Sequence, residues 1–284
     1  MASREFILDV RNHDRDLAGM TYVYPVLSRR AGGVSVGINL NPNNACNWRC
    51  AYCQVPNLVR GRAPAIDLGR LEAELSGFLH ALVHGDYLER HVPEGLRVVR
   101  DVAFSGNGEP TSAVEFPQVI ALVRRLRDEF ALGPEVPLRL ITNGSLMAQA
   151  RVREAVRALG EAGGELWFKV DAGTKASIER INDVLLDPST VARNLKASAA
   201  LCPTWVQTCM FRWDGVSPTD DDIDAYLDLL DAAGVERLAG VLLYGIARPS
   251  LQPEAVRLSP LTGAELEAIA AKVRKKGLTV RVSP

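Results

Sequence analysis

Short β-rich runs and helical-period segments alternate along most of this 284-residue chain, and few folds accommodate that order. The strand-like runs fall at 34–40, 101–105, 137–142, 166–171, 204–212 and 238–244. Helical stretches lie between them at 67–83, 116–130, 146–160, 191–201 and 220–233, and a last helix at 263–276 leads into a short strand at 278–282. Strands alternating with helices build a parallel sheet from βα units, because parallel neighbours need a long crossover that a helix fills. The expected class is therefore α/β, as an open doubly wound sheet or as a barrel. No repeat, low-complexity tract or linker interrupts the pattern. The expected organisation is an N-terminal extension over 1–33 and one domain over 34–284, closed by the C-terminal helix and strand.

Side-chain parity favours an incomplete barrel. In the first strand Val34, Val36, Ile38 and Leu40 share one face, and Ser35, Gly37, Asn39 and Asn41 share the other. Likewise Leu166, Phe168 and Val170 oppose Trp167, Lys169 and Asp171, while Val102 and Phe104 oppose Ala103, Ser105 and Asn107. A fully packed parallel sheet is apolar on both faces. One apolar face and one small, polar face instead describe a partial parallel (β/α)6 barrel with helices outside and a wet lumen. In the other reading the polar residues simply meet solvent at a sheet edge. Both arrangements place chemistry at the C-terminal ends of the strands.

Composition narrows the partners. With 47% hydrophobic and 24% charged residues, disordered and fibrous classes are excluded. The 33 Lys and Arg against 34 Asp and Glu leave a net charge of -1, so a nucleic-acid or membrane-surface partner would need a local basic patch. No window approaches the ~18 apolar residues of a membrane span. The start, MASREFILDVRNHDRD, lacks the layout of a signal peptide. A cytoplasmic monomer without a membrane partner is expected. Of five cysteines, three crowd between Cys46 and Cys53, which in a reducing compartment points to metal binding or catalysis rather than disulfides.

These three lie in NPNNACNWRCAYCQV, directly after the first strand, as Cys46-x3-Cys50-x2-Cys53. Soft thiolates select zinc or iron-sulfur clusters. A structural zinc site needs four protein ligands, and no fourth Cys or His follows at short spacing. A cluster held by three cysteines leaves one iron free to bind something else.

Other candidates stand at strand ends. The second strand ends in FSGNGEPT, where Gly106 and Gly108 allow a sharp turn and close approach to a ligand, and Pro110 stiffens the exit. The third ends in ITNG, with Asn143, and the fourth in FKVDAGT, with Lys169 and Asp171 on one side. A lysine suits a carboxylate and an aspartate suits ribose hydroxyls, unless the two pair with each other. Asn143 and Asn182 are equally turn or cap residues. The sixth strand ends in LLYGIARPS, with Tyr244 and Arg248. Cys202 and Cys209 are expected as buried free thiols, with Cys209 as a lumen hydrogen-atom donor in the functional alternative. Arg60, Arg62, Arg212 and Arg248 are the candidates for recognising an anion. Tyr22 and Tyr24 either form a lid over the barrel mouth or pack below it. No histidine follows His91, so proton or hydrogen transfer in the second half falls to Lys169, Asp171, Tyr244 and Cys209.

The cysteine loop, with Tyr52 just before its last cysteine, and the SGNGEPT turn together resemble the radical S-adenosylmethionine (radical SAM) superfamily over roughly residues 34–250. The resemblance implies a 4Fe-4S cluster held by Cys46, Cys50 and Cys53, with the amino and carboxylate groups of SAM on the fourth iron. It implies SAM contacts among Tyr52, Ser105, Gly106, Asn107, Gly108, Glu109, Asn143, Lys169, Asp171, Asn182, Tyr244 and Arg248. A reductant such as flavodoxin or ferredoxin would deliver the electron that cleaves SAM, and the resulting 5'-deoxyadenosyl radical would take a hydrogen atom from the substrate. The motif wording is most similar to the wyosine-type tRNA base-modification branch, although that branch has further cysteines upstream and this chain has none before Cys46. A small molecule, a peptide of a glycyl-radical enzyme, or tRNA remain the substrate classes. A non-catalytic metal-binding module is the alternative of another kind.

Overall fold

The structure is a computed structural model and describes residues 7–9, 19–28 and 32–284. Alternate apolar residues make one side of each central strand adhesive, and amphipathic helices cover that side. In chain order the strands and helices are β1 (Val23–Ser28), β2 (Gly33–Ile38), β3 (Ala45–Cys46), β4 (Val59–Arg60), α1 (Leu68–Val83), α2 (Tyr87–His91) and β5 (Val99–Phe104). There follow α3 (Phe116–Glu129), β6 (Leu138–Thr142), α4 (Ala150–Glu161), β7 (Glu165–Lys169), α5 (Lys175–Asn182), α6 (Pro188–Ala199), β8 (Thr204–Cys209) and β9 (Phe211–Trp213). The chain ends with α7 (Asp220–Ala233), β10 (Gly240–Tyr244), β11 (Leu258–Pro260), α8 (Gly263–Arg274) and β12 (Val280–Ser283).

The main sheet runs β1-β2-β5-β6-β7-β8-β10-β12. From β2 to β12 every neighbour is parallel. The sheet curls into a half-barrel, as expected from the parity pattern. Val36, Phe104, Leu140, Phe168, Val206 and Leu243 point outward into the large core shared with the helices. On α1, Leu71, Leu75, Phe78, Leu79 and Leu82 recur at helical spacing and face that core. The inner face carries only small apolar groups, one of Trp167, Trp205 and Leu242 and another of Ala51, Cys209, Phe211 and Trp213.

Three elements differ from expectation for identifiable reasons. Within the expected N-terminal extension, Val23–Ser28 pairs antiparallel along β2, from Val23 opposite Ile38 to Ser28 opposite Gly33. Tyr22 joins the core, and the Tyr24 ring lies over Gly37, where a Cβ would collide with it. Residues 1–6, 10–18 and 29–31 of that extension lie outside the described residues, and with them most of the segment read for a signal peptide. The fifth expected strand stops at Cys209, because Met210 donates its N–H to Tyr244 O and the chain then bends so that β9 pairs with β11. Helix α5 is only eight residues long, too short a run for its apolar period to announce it, and it is started by Thr174, whose hydroxyl accepts from Ser177 N at 3.1 Å.

Candidate functional site

The cysteine loop is held from both sides by backbone hydrogen bonds. Ala51 N donates to Ile181 O at 2.7 Å, and Leu251 N donates to Cys53 O at 2.9 Å. Ser250 Oγ donates to Ala51 O at 2.6 Å. Arg49 adds a two-pronged bond to Glu254, 3.0 Å on each prong, and a third to Asp183 at 2.9 Å. A loop anchored at so many points can fix Cys50 and Cys53 without regular secondary structure, while Cys46 stands on β3, which pairs with β4. Cys46, Cys50 and Cys53 are unpaired and half-buried, and all three line one cavity of about 300 Å³.

Burial pushes the Cys46 and Cys50 thiols up to about 12, which favours the protonated form of those two. Forming thiolates there calls for a bound cationic centre. Among the described residues no three His, Cys, Asp or Glu side chains converge on one metal ion. Three soft sulfur donors on the wall of one open cavity, rather than four closed around a point, suit a polynuclear iron-sulfur cluster, in which each sulfur binds a different iron, better than a closed zinc site. The donor set therefore fits the cluster.

The turn after β5 owes its glycines to packing. Gly106 has φ +148°, and a Cβ there would overlap the Asn39 side chain. A Cβ on Gly108 would overlap the Ala45 carbonyl oxygen. The pair thus lets this turn lie directly on the segment that enters the cysteine loop. Asn39 Oδ1 accepts from Asn41 N and Asn107 N, and Asn107 Nδ2 donates to Asn44 Oδ1 at 2.6 Å. Ser105 Oγ lies 2.8 Å from Tyr24 OH.

Glu109 is buried, and its carboxylate is fully engaged inside the protein. Oε1 accepts from Thr111 N, Thr111 Oγ1 and Thr142 Oγ1, and Oε2 accepts from Asn143 N at 2.7 Å. Burial raises its carboxyl above the ordinary value despite these donors. Asn143 in turn donates to Asn47 Oδ1 at 2.9 Å. The loops after β5 and β6 are thereby tied to the cysteine loop.

Lys169 and Asp171 do reach the same side, and a buried network joins them. Tyr52 OH donates to Asp171 Oδ2 at 2.6 Å and accepts from Lys169 Nζ, which lies 3.8 Å from that carboxylate oxygen. Asn182 Nδ2 reaches both Asp171 Oδ2, at 2.9 Å, and Cys50 Sγ, at 3.3 Å. Cys209 N donates to Asp171 Oδ1 at 3.0 Å, and Lys169 Nζ lies 3.4 Å from Tyr244 OH. Burial works against the Lys169 ammonium, but Asp171 and the surrounding tyrosine and cysteine groups outweigh it and hold it above the ordinary lysine range. Burial and then Asp171 hold the Tyr52 phenol well above its own. At neutral pH Lys169 is a fixed cation and Tyr52 is neutral.

Not every expected residue faces the cysteines. Lys169 and Arg248 line their cavity. Asp171 and Cys209 instead line a smaller one of about 150 Å³, beside Phe211 and Trp213. Cys209 shares the inner face with Gln207, but its neighbours are Ala51, Phe211 and Trp213. Of the other anion candidates, Arg60 bonds Asn47 O and Asp183, and Arg212 bonds Pro260 O and Glu265. Arg62 is exposed. Conversely, Ser35, Asp101, Arg139, Trp167 and Gln207 line the main cavity and were not among the expected site residues. The inward parity of Ser35, Trp167 and Gln207 was the available signal for three of them.

Fold and site together define a class: a parallel half-barrel with a three-cysteine loop at the C-terminal end of a strand beside an open cavity. The Radical SAM superfamily profile matches residues 40–230, more than half of the chain, and the chain belongs to that superfamily. Its members are enzymes that bind a 4Fe-4S cluster and SAM and depend on a reductant. Among solved structures, the chain is similar to a radical SAM methyltransferase from Sphaerobacter thermophilus, at TM-score 0.60 and 15% identity, over 92% of this chain and 68% of that one. It is also similar to Streptococcus suis SuiB bound to S-adenosylmethionine, at TM-score 0.56 and 10% identity, over 90% of this chain and 52% of SuiB. These likenesses concern the fold. Among curated sequences, a protein named GTPase Obg from Brachyspira hyodysenteriae is 25% identical over 129 residues, which is 45% of this chain and only 16% of that protein. No helix among the described residues is long and apolar enough to cross a membrane.

Proposed function

We propose that this chain carries out radical SAM chemistry on a substrate held in the half-barrel, with Cys46, Cys50 and Cys53 as the cluster ligands. The observation that carries the reading is the set of three unpaired thiols on the wall of one cavity, with Lys169 and Arg248 on the same cavity. When bound and reduced, the cluster and SAM supply a 5'-deoxyadenosyl radical that takes a hydrogen atom from the substrate. The protein's own part is to orient and to exclude water. Lys169, fixed as a cation by Asp171 and Tyr52, offers a partner for the carboxylate of SAM. Ser105, Asn107 and Asn143 support the loops that enclose the cofactor, while Trp48, Val55 and Leu58 give the cavity apolar wall. Glu109, Asp171 and Asn182 act as positioning residues, since their polar atoms are committed to the protein. A flavodoxin or ferredoxin serves as the electron donor, and three reduced thiols call for a reducing compartment such as the cytoplasm.

The test is formation of 5'-deoxyadenosine from SAM by anaerobically reconstituted protein with a reductant, beside Cys50→Ala. Turnover in the parent protein that is lost in the variant is the expected result. A zinc-loaded protein, or a cluster whose spectrum ignores SAM, overturns the proposal.

A further inference from the structure

Below the cysteine loop, the inner face carries a second group of side chains for which the cofactor site has no use. At mid-depth the small residues Gly37 and Ala103 face the lumen from β2 and β5, and Trp167 and Gln207 face it from β7 and β8. Toward the N-terminal ends of the strands lies a polar floor. There Ser35 Oγ and Arg139 both donate to Asp101, and Arg139 Nε donates to Glu165 at 3.2 Å. The Arg139 guanidinium also lies 5.0 Å from the Trp167 ring.

The charge of this floor is decisive for what it accepts. Its guanidinium is flanked by two carboxylates and stacked on an indole, so it has no surplus positive charge to offer an anion. A neutral ligand meets no such obstacle. Gln207 supplies the specific contact. It is 3% exposed, its carboxamide has no hydrogen-bond partner among the described residues, and it lines the cavity. Its amide is not among the sealed unpaired groups, so it opens on the cavity and presents a donor and an acceptor side by side. Its complement is an N–H beside a C=O. Trp167 provides a flat apolar wall one step below it, and Ala103, with the Tyr24 ring that covers Gly37, lines the cavity on β5 and β2.

We propose that the half-barrel floor is the substrate subsite and that it takes a neutral, planar molecule with an amide-type edge, bonded by Gln207 and laid against Trp167. The inference rests on the radical SAM reading of the loop above. Such an edge occurs in the lactam of a pyrimidine and in a planar carboxamide, and the two sources are separated by the probes below.

The experiment is calorimetric titration of the reconstituted, SAM-bound protein with uracil and with nicotinamide, each beside its anionic counterpart, orotate or nicotinate. The same titrations are made on Gln207→Leu, with SAM affinity and the SAM-induced change in the cluster's electron paramagnetic resonance spectrum measured on both proteins. At least one neutral probe should bind, its anion should bind about tenfold more weakly or worse, and Gln207→Leu should weaken the neutral probe by about tenfold. SAM affinity and the spectral change should stay within about twofold in the variant, which also shows that it is folded. Uracil alone binding assigns the lactam source, and nicotinamide alone assigns the carboxamide. Failure of both neutral probes, equal binding of the anions, or unchanged binding in Gln207→Leu overturns the subsite. A parent cluster that ignores SAM instead overturns the reading beneath it.

Discussion

Asn182 is the direct link between a proposed cluster ligand and the buried polar network, so removing it tests how the protein tunes the cluster. Its Nδ2 donates to Cys50 Sγ at 3.3 Å and to Asp171 Oδ2 at 2.9 Å. A donor to a ligand sulfur stabilises the more negative, reduced cluster and so raises its potential. If the bond is worth about 1 kcal/mol more in the reduced state, the difference is about 40 mV for one electron, since 59 mV and about 1.4 kcal/mol each correspond to a tenfold change. Asn182→Ala should therefore lower the midpoint potential by about 40 mV in a redox titration followed by electron paramagnetic resonance. Asn182 ends α5, so loosening that helix is the competing cause. Thr174→Ala controls for it, because it removes the cap of α5 and leaves the sulfur contact in place. A potential that stays within about 10 mV of the parent, rises, or falls equally in Thr174→Ala would refute the reasoning.

The remaining predictions concern stability. Gly108→Ala places a Cβ into the Ala45 carbonyl oxygen, where backbone cannot yield, and should cost about 3 kcal/mol or more in urea unfolding. Glu109→Gln turns an amide donor toward groups that already donate, and a loss of about 2 kcal/mol is expected in the same assay. Lys169→Met leaves Asp171 buried without its cation and should cost about 3 kcal/mol, a part of which Asp171→Asn in the double variant should restore. Glu265, pushed down to about 2 by the Thr262 hydroxyl and amide, contributes stability that is complete above pH 4.5, its ordinary value, and is lost as the pH falls through 2. Between those values Glu265→Gln should show a flatter melting temperature than the parent.

The barrel strands were legible in sequence because a curled sheet with one packed and one wet face writes a period-2 signal into each of them. Val34, Val36 and Ile38 against Ser35 and Gly37 is enough to orient β2. The cysteine loop was legible because sulfur spacing is local. What the sequence concealed depends on contacts far apart in the chain. Tyr24 reads as a lid or a packing residue until Gly37 leaves a place for its ring. Asp101, Arg139 and Glu165 look like ordinary charges at strand starts, and only the β5-β6-β7 register brings them together on the lumen floor. Cys209 is the buried thiol expected of it, and its parity with Gln207 does not bring it to the cysteines' cavity, because Phe211 and Trp213 enclose it. Local pattern fixes the face of a strand, whereas depth along the barrel comes from register and from the loops that roof it.

That distinction separates two kinds of polar residue at these strand ends. Asp171 accepts from Tyr52 in the cysteine loop, Asn182 in α5 and Cys209 at the end of β8, so one carboxylate joins three segments to β7. Glu109 does the same for β6 and its own turn, and Asn143 for the cysteine loop. A carboxylate with this many donors cannot turn to a ligand without leaving buried N–H groups unpaired, at a cost of about 1–3 kcal/mol for each. Lys169 and Gln207 are placed differently, because both line the open cavity, one as a charge fixed by Asp171 and the other as an amide without a protein partner. Recognition by this half-barrel should therefore fall to side chains such as these, while the acidic residues set where those side chains stand. Substitutions of Asp171 or Glu109 should accordingly show first as lost stability and lost cluster retention, and substitutions of Gln207 as lost affinity in a protein of unchanged stability.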